Sequence, residues 1–422
     1  MACDESNRGN RRMVIIPIMV CGVMLYAMPR STKMLYAAIS DFKMVNFIYV
    51  GVGLYAYFYI KNYGKLPSIF CKRGTKLDTI IRDRIPTLKR RYMPLYWFAE
   101  SRCQTILRTF LPCLSGFKYR REVVEEPNGG QFYLDWCDND HNNVIYPNSK
   151  TRPTIFILPG VTSTSKSTYV RSIVFRLVQN GYRVMVIVNR GLDGMEVKTP
   201  TTYCATHTYD MEIAIQRFHL TFPEAKLFAL GCSLGTLMLG KHLSRKGDRC
   251  GLDAALFFSC PFNAPVCAEE VEIWTNRVLI NEHVAREQKR IYRRNSQVFE
   301  NLVDHEKIMN ARHMREFDHH FTAPLFGYTS AEEYYADCIL CERKLKSVKV
   351  PLLCVGSNDD MFSPEHGLPK DEVCKTDNVA LVMTYGGGHV SHLQGLNPFA
   401  ETYFEQIMVE FFDAMMNNED KS

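Results

Sequence analysis

From about residue 115 onward, short runs rich in β-branched and aromatic residues alternate with helix-length segments, and no other feature restricts the fold as much. The runs are TIFIL (154–158), YRVMVIV (182–188), KLFAL (226–230), ALFFS (255–259), PLLCV (351–355) and ALVMTY (380–385). Most are apolar throughout, as strands buried on both faces of a parallel sheet must be. Amphipathic stretches such as Tyr169–Gln179 and Ile213–Phe222 lie between them. That alternation predicts a doubly wound α/β fold. Phe117–Glu125 and Gln131–Trp136, joined around Asn128-Gly129-Gly130, predict a hairpin in front of it. The count comes to a mostly parallel eight-stranded sheet, closed by a last helix over ETYFEQIMVEFFDAMM. One interval breaks the rhythm. Residues 262–346 carry charged helical runs and no strong strand signal, which predicts a helical cap over a site or a peripheral solvated bundle.

At Gly231-Cys232-Ser233-Leu234-Gly235 a strand-like run passes directly into a helix-like one. A serine in G-x-S-x-G at that junction is presented at the C-terminal edge of the sheet as a nucleophile. The alternative is a glycine-bracketed turn whose serine caps the next helix. A serine nucleophile needs a base, and the base an orienting carboxylate, in the chain order Ser, acid, His for this architecture. PLLCV is followed by GSNDDMFSP, offering Asp359 and Asp360; ALVMTY is followed by GGGHVSH, offering His389 and His392. Asp360 stands four residues before Pro364, and His389 follows glycines that let a loop fold back, so these two are expected to join Ser233. Asp359 then reads as a solvated turn aspartate and His392 as an exposed polar residue. A tetrahedral intermediate needs two donors for its oxyanion. Leu234 N–H is one by the geometry of the elbow, and Val161 N–H, after Gly160 in LPGVTSTSKS, is the second. His313 and Asp318 form an H-x-x-x-x-D string that reads as coincidence.

The N-terminal part is of another character. Met13–Met28 and Met44–Ile60 are uncharged runs flanked by Arg11, Arg12, Arg30, Lys43 and Lys61. Both approach the lower length limit for a bilayer span, which predicts a membrane anchor of one span, or of two. A signal peptide rivals the first run and a buried core helix rivals each. Basic residues at 61, 65, 72, 73 and 76 favour a cytoplasmic position for the chain beyond the second run.

Apolar residues at 46% and charged residues at 23% exclude a disordered chain. A net charge of +6, without a basic block interleaved with aromatics, argues against nucleic acid as a partner and suits an anionic membrane surface. Fifteen cysteines follow no framework spacing, and the lone Cys338/Cys341 pair does not make a zinc site. A reduced compartment fits them better than a disulfide scaffold. No phosphate-binding loop and no H-E-x-x-H occur, so neither metal nor organic cofactor is expected.

Several longer stretches carry a resemblance. They include Gly129-Gly130-Gln131 with the strand to Asp135-Trp136, ILPGVTSTSKSTYV, VNRGLDG with KTPTTYCATHTYD, GCSLG, REFDHHFTAPLFGYTSAEEYYAD, NDDMFSP and GGHVSH. With them the chain resembles the membrane-anchored α/β-hydrolase-domain lipid hydrolases, also called AB-hydrolase family four, over residues 85–415. The resemblance implies an α/β-hydrolase fold, the triad Ser233, Asp360 and His389, and a single-pass anchor at the bilayer. It also implies a lipid ester substrate: a phospholipid, a monoacylglycerol or a shorter acyl ester. The chain would then divide into an anchor at 1–65, a helical lead-in at 66–116 and a hydrolase domain at 117–416 with its cap at 262–346. Acyl transfer to an alcohol, and a catalytically silent lipid- or hormone-binding fold, are the rival functions. Leu234-Gly235-Thr236 and Val390-Ser391-His392 depart from the family pattern around the serine and the histidine, which bears on substrate preference.

Overall fold

The computed structural model describes residues 44–112, 116–141 and 143–417. It divides into two compact units, Met1–Lys61 and Asn62–Ser422. In the first, the described residues from Met44 onward belong to helix Met44–Asn62. The expected run Met13–Met28 lies outside the described residues. Met44–Ile60 was expected as a span, yet among the described residues no helix is long and apolar enough to cross a membrane. The composition explains it: Asn46, Gly51, Gly53 and the tyrosines at 49, 55, 57 and 59 dilute the run.

The second unit holds one nine-stranded sheet. Its strands are β1 (Ser68–Cys71), β2 (Arg120–Glu125), β3 (Gln131–Cys137), β4 (Thr154–Leu158), β5 (Arg183–Val188), β6 (Leu227–Cys232), β7 (Ala254–Phe258), β8 (Leu352–Ser357) and β9 (Val379–Thr384). They lie in the order β1-β9-β8-β7-β6-β4-β5-β3-β2. From β5 to β9 the pairings through β4, β6, β7 and β8 are parallel. The β2–β3 hairpin is antiparallel in the register Glu125↔Gln131 and adds antiparallel to β5. This is the α/β-hydrolase arrangement, with one strand more than the eight expected. The extra strand, β1, pairs antiparallel with β9 at the far edge. Four residues, SIFC, are too short to give a periodic signal in sequence.

The strands read as unbroken apolar runs because both faces are covered. Along β4, Phe156 and Leu158 enter one hydrophobic cluster with Phe218, Leu239 and Phe257. Ile155 and Ile157 enter the other, with Leu230, Phe404 and Phe411. The period-two alternation of a strand assigns neighbours to opposite faces. Each fully buried side chain of this size contributes about 1.5–3 kcal/mol. The last helix, Tyr403–Met416, starts from a capping box between Thr402 and Glu405. Residues 262–346 contain helices and no strand, and they enter between β7 and β8.

Candidate active site

Ser233 sits between the end of β6 and the helix Leu234–Lys246, with φ 50° and ψ −119°. That backbone region is strained for a residue with a Cβ and persists only where the surroundings enforce it. Close packing enforces it here. A Cβ at Gly235 would stand 2.0 Å from the Leu158 carbonyl oxygen, and one at Gly231 would stand 2.8 Å from the Gly235 carbonyl oxygen. Ser233 N–H donates to the Phe258 carbonyl at 3.0 Å, tying the turn to β7. The hydroxyl of Thr236 donates to the Ser233 carbonyl at 2.6 Å, which gives the departure at that position a local use. Ser233 makes no side-chain cap for its helix; its Oγ lies 2.8 Å from His389 Nε2 instead.

His389 Nδ1 lies 2.9 Å from both carboxylate oxygens of Asp360. The pairing sets the tautomer: Nδ1–H donates to the acceptor-only carboxylate, and Nε2 accepts from the serine hydroxyl. Asp360 is buried, and its Oδ1 also accepts from Phe362 N–H at 2.8 Å. The Phe362 ring packs against the imidazole with centroids 4.5 Å apart. Gly386, Gly387 and Gly388 all have positive φ, so the loop folds back as a run of larger residues could not. A Cβ at Gly388 would stand 2.4 Å from the Ser101 carbonyl oxygen. Thr105, on helix Ser101–Phe110, accepts from His389 N–H at 2.9 Å. Ser259 Oγ accepts from Val390 N–H at 3.0 Å.

The two residues left aside in the sequence are not what they were expected to be. Asp359 is not a freely solvated turn residue: its Oδ1 accepts from Gly388 N–H at 3.0 Å. Burial pushes its carboxyl up to about 6, against the Gly388 hydrogen bond, which pulls it down. His392 is not exposed but fully buried. It lies 2.9 Å from Thr384 Oγ1 and packs against Phe258 and Tyr92. Burial drives its imidazole down to about 4, so it is neutral at pH 7. Both supports lie in tertiary contacts that loop composition does not reveal.

Val161 and Leu234 line the same cavity as Ser233. Among the described residues neither backbone N–H has a hydrogen-bond acceptor. The Val161 loop is held close: a Cβ at Gly160 would stand 3.3 Å from Ser233 Cβ. Gly160 N–H donates to Tyr169 Oη at 2.9 Å and Thr162 N–H donates to Tyr203 Oη at 3.2 Å.

The cavity offers about 150 Å³ to the centre of a water molecule. Its wall is mostly apolar and draws on Leu237, Val271, Ile291, Phe317, Phe321 and Phe362, so residues 262–346 contribute much of it. Asp318 is the buried acid of that wall. It accepts from Thr322 Oγ1 at 2.6 Å and Tyr335 Oη at 2.8 Å, and burial pushes it up to about 6. His313 does not join it but lies 3.3 Å from Glu316. Among the described residues no group of His, Cys, Asp or Glu is placed to hold a metal ion.

Thr105, Ser259, Tyr169 and Tyr203 escaped the sequence reading. Thr105, Ser259 and Tyr203 each act through one hydrogen bond to a loop distant in sequence, and Tyr169 through one to Gly160 nine residues before it; only the tyrosines stood near a recognisable motif.

No protein-family model matches the chain. Human Phospholipase ABHD3 is 37% identical over 383 residues, covering 89% of this chain and 93% of that protein. Protein abhd-3.2 of Caenorhabditis elegans is 27% identical, covering 82% and 91%. Medium-chain fatty acid ethyl ester synthase/esterase 2 of Saccharomyces cerevisiae is 28% identical, covering 62% of each chain.

Proposed function

The chain belongs to the abhydrolase-domain family that includes Phospholipase ABHD3, and on that premise we propose that it cleaves lipid esters with Ser233 as nucleophile. The observation that carries this reading is one chain of contacts: a strained serine whose Oγ lies 2.8 Å from an imidazole that Asp360 holds from behind. His389 Nε2 takes the Oγ proton as Oγ attacks the ester carbonyl carbon. The oxyanion forms between the unpartnered N–H groups of Val161 and Leu234, each such donor being worth about 10²–10³ in kcat. Collapse breaks the bond to the alkoxy oxygen, and imidazolium Nε2 returns its proton to that leaving alcohol. Asp360 stabilises the imidazolium without taking its proton. Water, deprotonated by the same imidazole, then frees the acyl group from Ser233.

The apolar wall supports an acyl chain as the part of the substrate it receives. The phospholipase name of the human relative supports a phospholipid; a monoacylglycerol or a shorter ester fits the same chemistry. We read residues 117–416 as the catalytic part, with 262–346 closing over the site. We read residues 1–65 as attachment to a bilayer, which the apolar run Met13–Met28 and the exposed side chains of helix Met44–Asn62 favour. The yeast relative's name pairs synthase with esterase, so transfer to an added alcohol is the second reading. The test is product analysis with the purified full chain, a phosphatidylcholine and a soluble short-chain ester, with and without ethanol. Free fatty acid from the wild type and none from Ser233→Ala supports the proposal. Ethyl ester as the main product supports the second reading, and equal turnover by both proteins overturns both.

A further inference from the structure

Three segments far apart in sequence expose large apolar side chains on one side of the site. Residues 94–98 lie beside 393–396: Tyr96 N–H donates to the Gly395 carbonyl at 2.9 Å and Trp97 Nε1–H to the Leu396 carbonyl at 3.0 Å. Arg102, in the first turn of helix Ser101–Phe110, donates to Thr275 Oγ1 at 3.0 Å, which brings in the third segment, 273–279. Trp97, Phe98, Leu396, Ile273, Trp274 and Leu279 are all exposed there. A contiguous apolar patch of this kind on a folded unit marks a binding surface.

Its position identifies what it meets. Val271 and Glu272 line the cavity, and so does Asn281, so segment 273–279 is the outside of the cavity wall. The segment 393–396 directly continues the histidine loop. Glu100, two residues after Phe98, caps the helix whose Thr105 holds His389 N–H. The patch therefore spans the outer side of the cavity wall and the continuation of the histidine loop, and forms a rim beside the site. The charged residue within the three segments, Arg277, lies 3.8 Å from Glu282, and Arg102 beside them pairs with Glu100 at 2.6 Å. A rim of Trp, Tyr, Phe and Leu whose own charged residue is paired matches the interface of a zwitterionic bilayer, where amphipathic rings settle at headgroup level.

We infer that this rim docks on the surface of a phosphatidylcholine bilayer, so that an ester passes from the membrane into the cavity without crossing water. The inference rests on the lipid-ester reading for its purpose, not for its test.

Tryptophan makes the test specific. The chain has three. Trp97 and Trp274 are 47% and 69% exposed on the rim, and Trp136 is 3% exposed in the core. The full chain is reconstituted in phosphatidylcholine vesicles with plain or brominated acyl chains. Brominated lipid is expected to quench the emission of Trp97→Phe and of Trp274→Phe, each of which keeps one rim tryptophan, and to leave the double variant unquenched. Quenching of only one rim tryptophan, or of neither, overturns the inference. So does rim emission that is already shielded and lipid-independent, as a second copy or the chain's own helix Met44–Asn62 would cause. The double variant Trp97→Ser, Trp274→Ser is expected to lose several-fold of its activity on vesicle-borne ester while keeping it on a soluble short-chain ester. Quenching with no hydrolysis of either ester would retain the docking rim and overturn the esterase proposal. Hydrolysis of both without quenching would overturn the rim alone.

Discussion

Replacing Asp360 with asparagine tests the arrangement around His389 without changing its shape. Phe362 N–H donates to Asp360 Oδ1 at 2.8 Å, so the asparagine carbonyl oxygen is held at that position. Its NH₂ must then take the place of Oδ2, 2.9 Å from His389 Nδ1. An NH₂ facing Nδ1 forces that nitrogen to accept, and the imidazole proton moves to Nε2. Nε2–H then points at Ser233 Oγ and cannot take its proton. The wrong tautomer costs about 10⁴ in kcat, or about 5 kcal/mol of transition-state stabilisation. Asp359→Asn is the control. Its carbonyl oxygen can still accept from Gly388 N–H, now at 3.0 Å, so kcat should change little. The assay is steady-state hydrolysis of a soluble short-chain ester, with melting curves to show that both variants fold. Folded Asp360→Asn within tenfold of wild type, or Asp359→Asn showing the large loss, would refute the reasoning.

His392→Gln should remove an acid sensitivity. The fold holds His392 near 4, against an ordinary value near 6.5, so its contribution is intact above pH 6.5 and is lost as pH falls through 4. The wild type should therefore lose about 3 kcal/mol relative to the variant by pH 4, read from urea unfolding across pH. Thr105→Val leaves His389 N–H without its acceptor at 2.9 Å. Stability should drop by about 1–2 kcal/mol, with kcat falling and KM for a soluble ester unchanged. Gly235→Ala puts a Cβ 2.0 Å from the Leu158 carbonyl oxygen. It should cost about 3 kcal/mol or more of stability in a melting experiment and abolish turnover.

What the sequence made legible was local. The sheet could be read because its strands are apolar throughout, and Ser233 because strand, turn and helix adjoin within a few residues. The loops bearing Asp360 and His389 could be read because each begins where an apolar run ends. The remainder is non-local. Residues 66–116 looked like a lead-in, yet Ser101 and Thr105 back the histidine loop from nearly three hundred positions away. β1 was missed because four residues carry no period, and its partner β9 lies at the other end of the chain. His392 looked like any polar loop residue, and only its contacts with Phe258 and Tyr92 show that it is buried. The helical insertion was visible as a break in rhythm. That its side chains line the cavity with Ser233 depends on how those helices turn, which spacing does not fix.

The most direct test is to stop turnover with acid during hydrolysis of a slow ester and weigh the peptide containing residue 233. The mechanism predicts that peptide heavier by one acyl group, on Ser233, in the wild type and unmodified in His389→Ala. An acyl group found on another residue, or steady hydrolysis by Ser233→Ala, would contradict it.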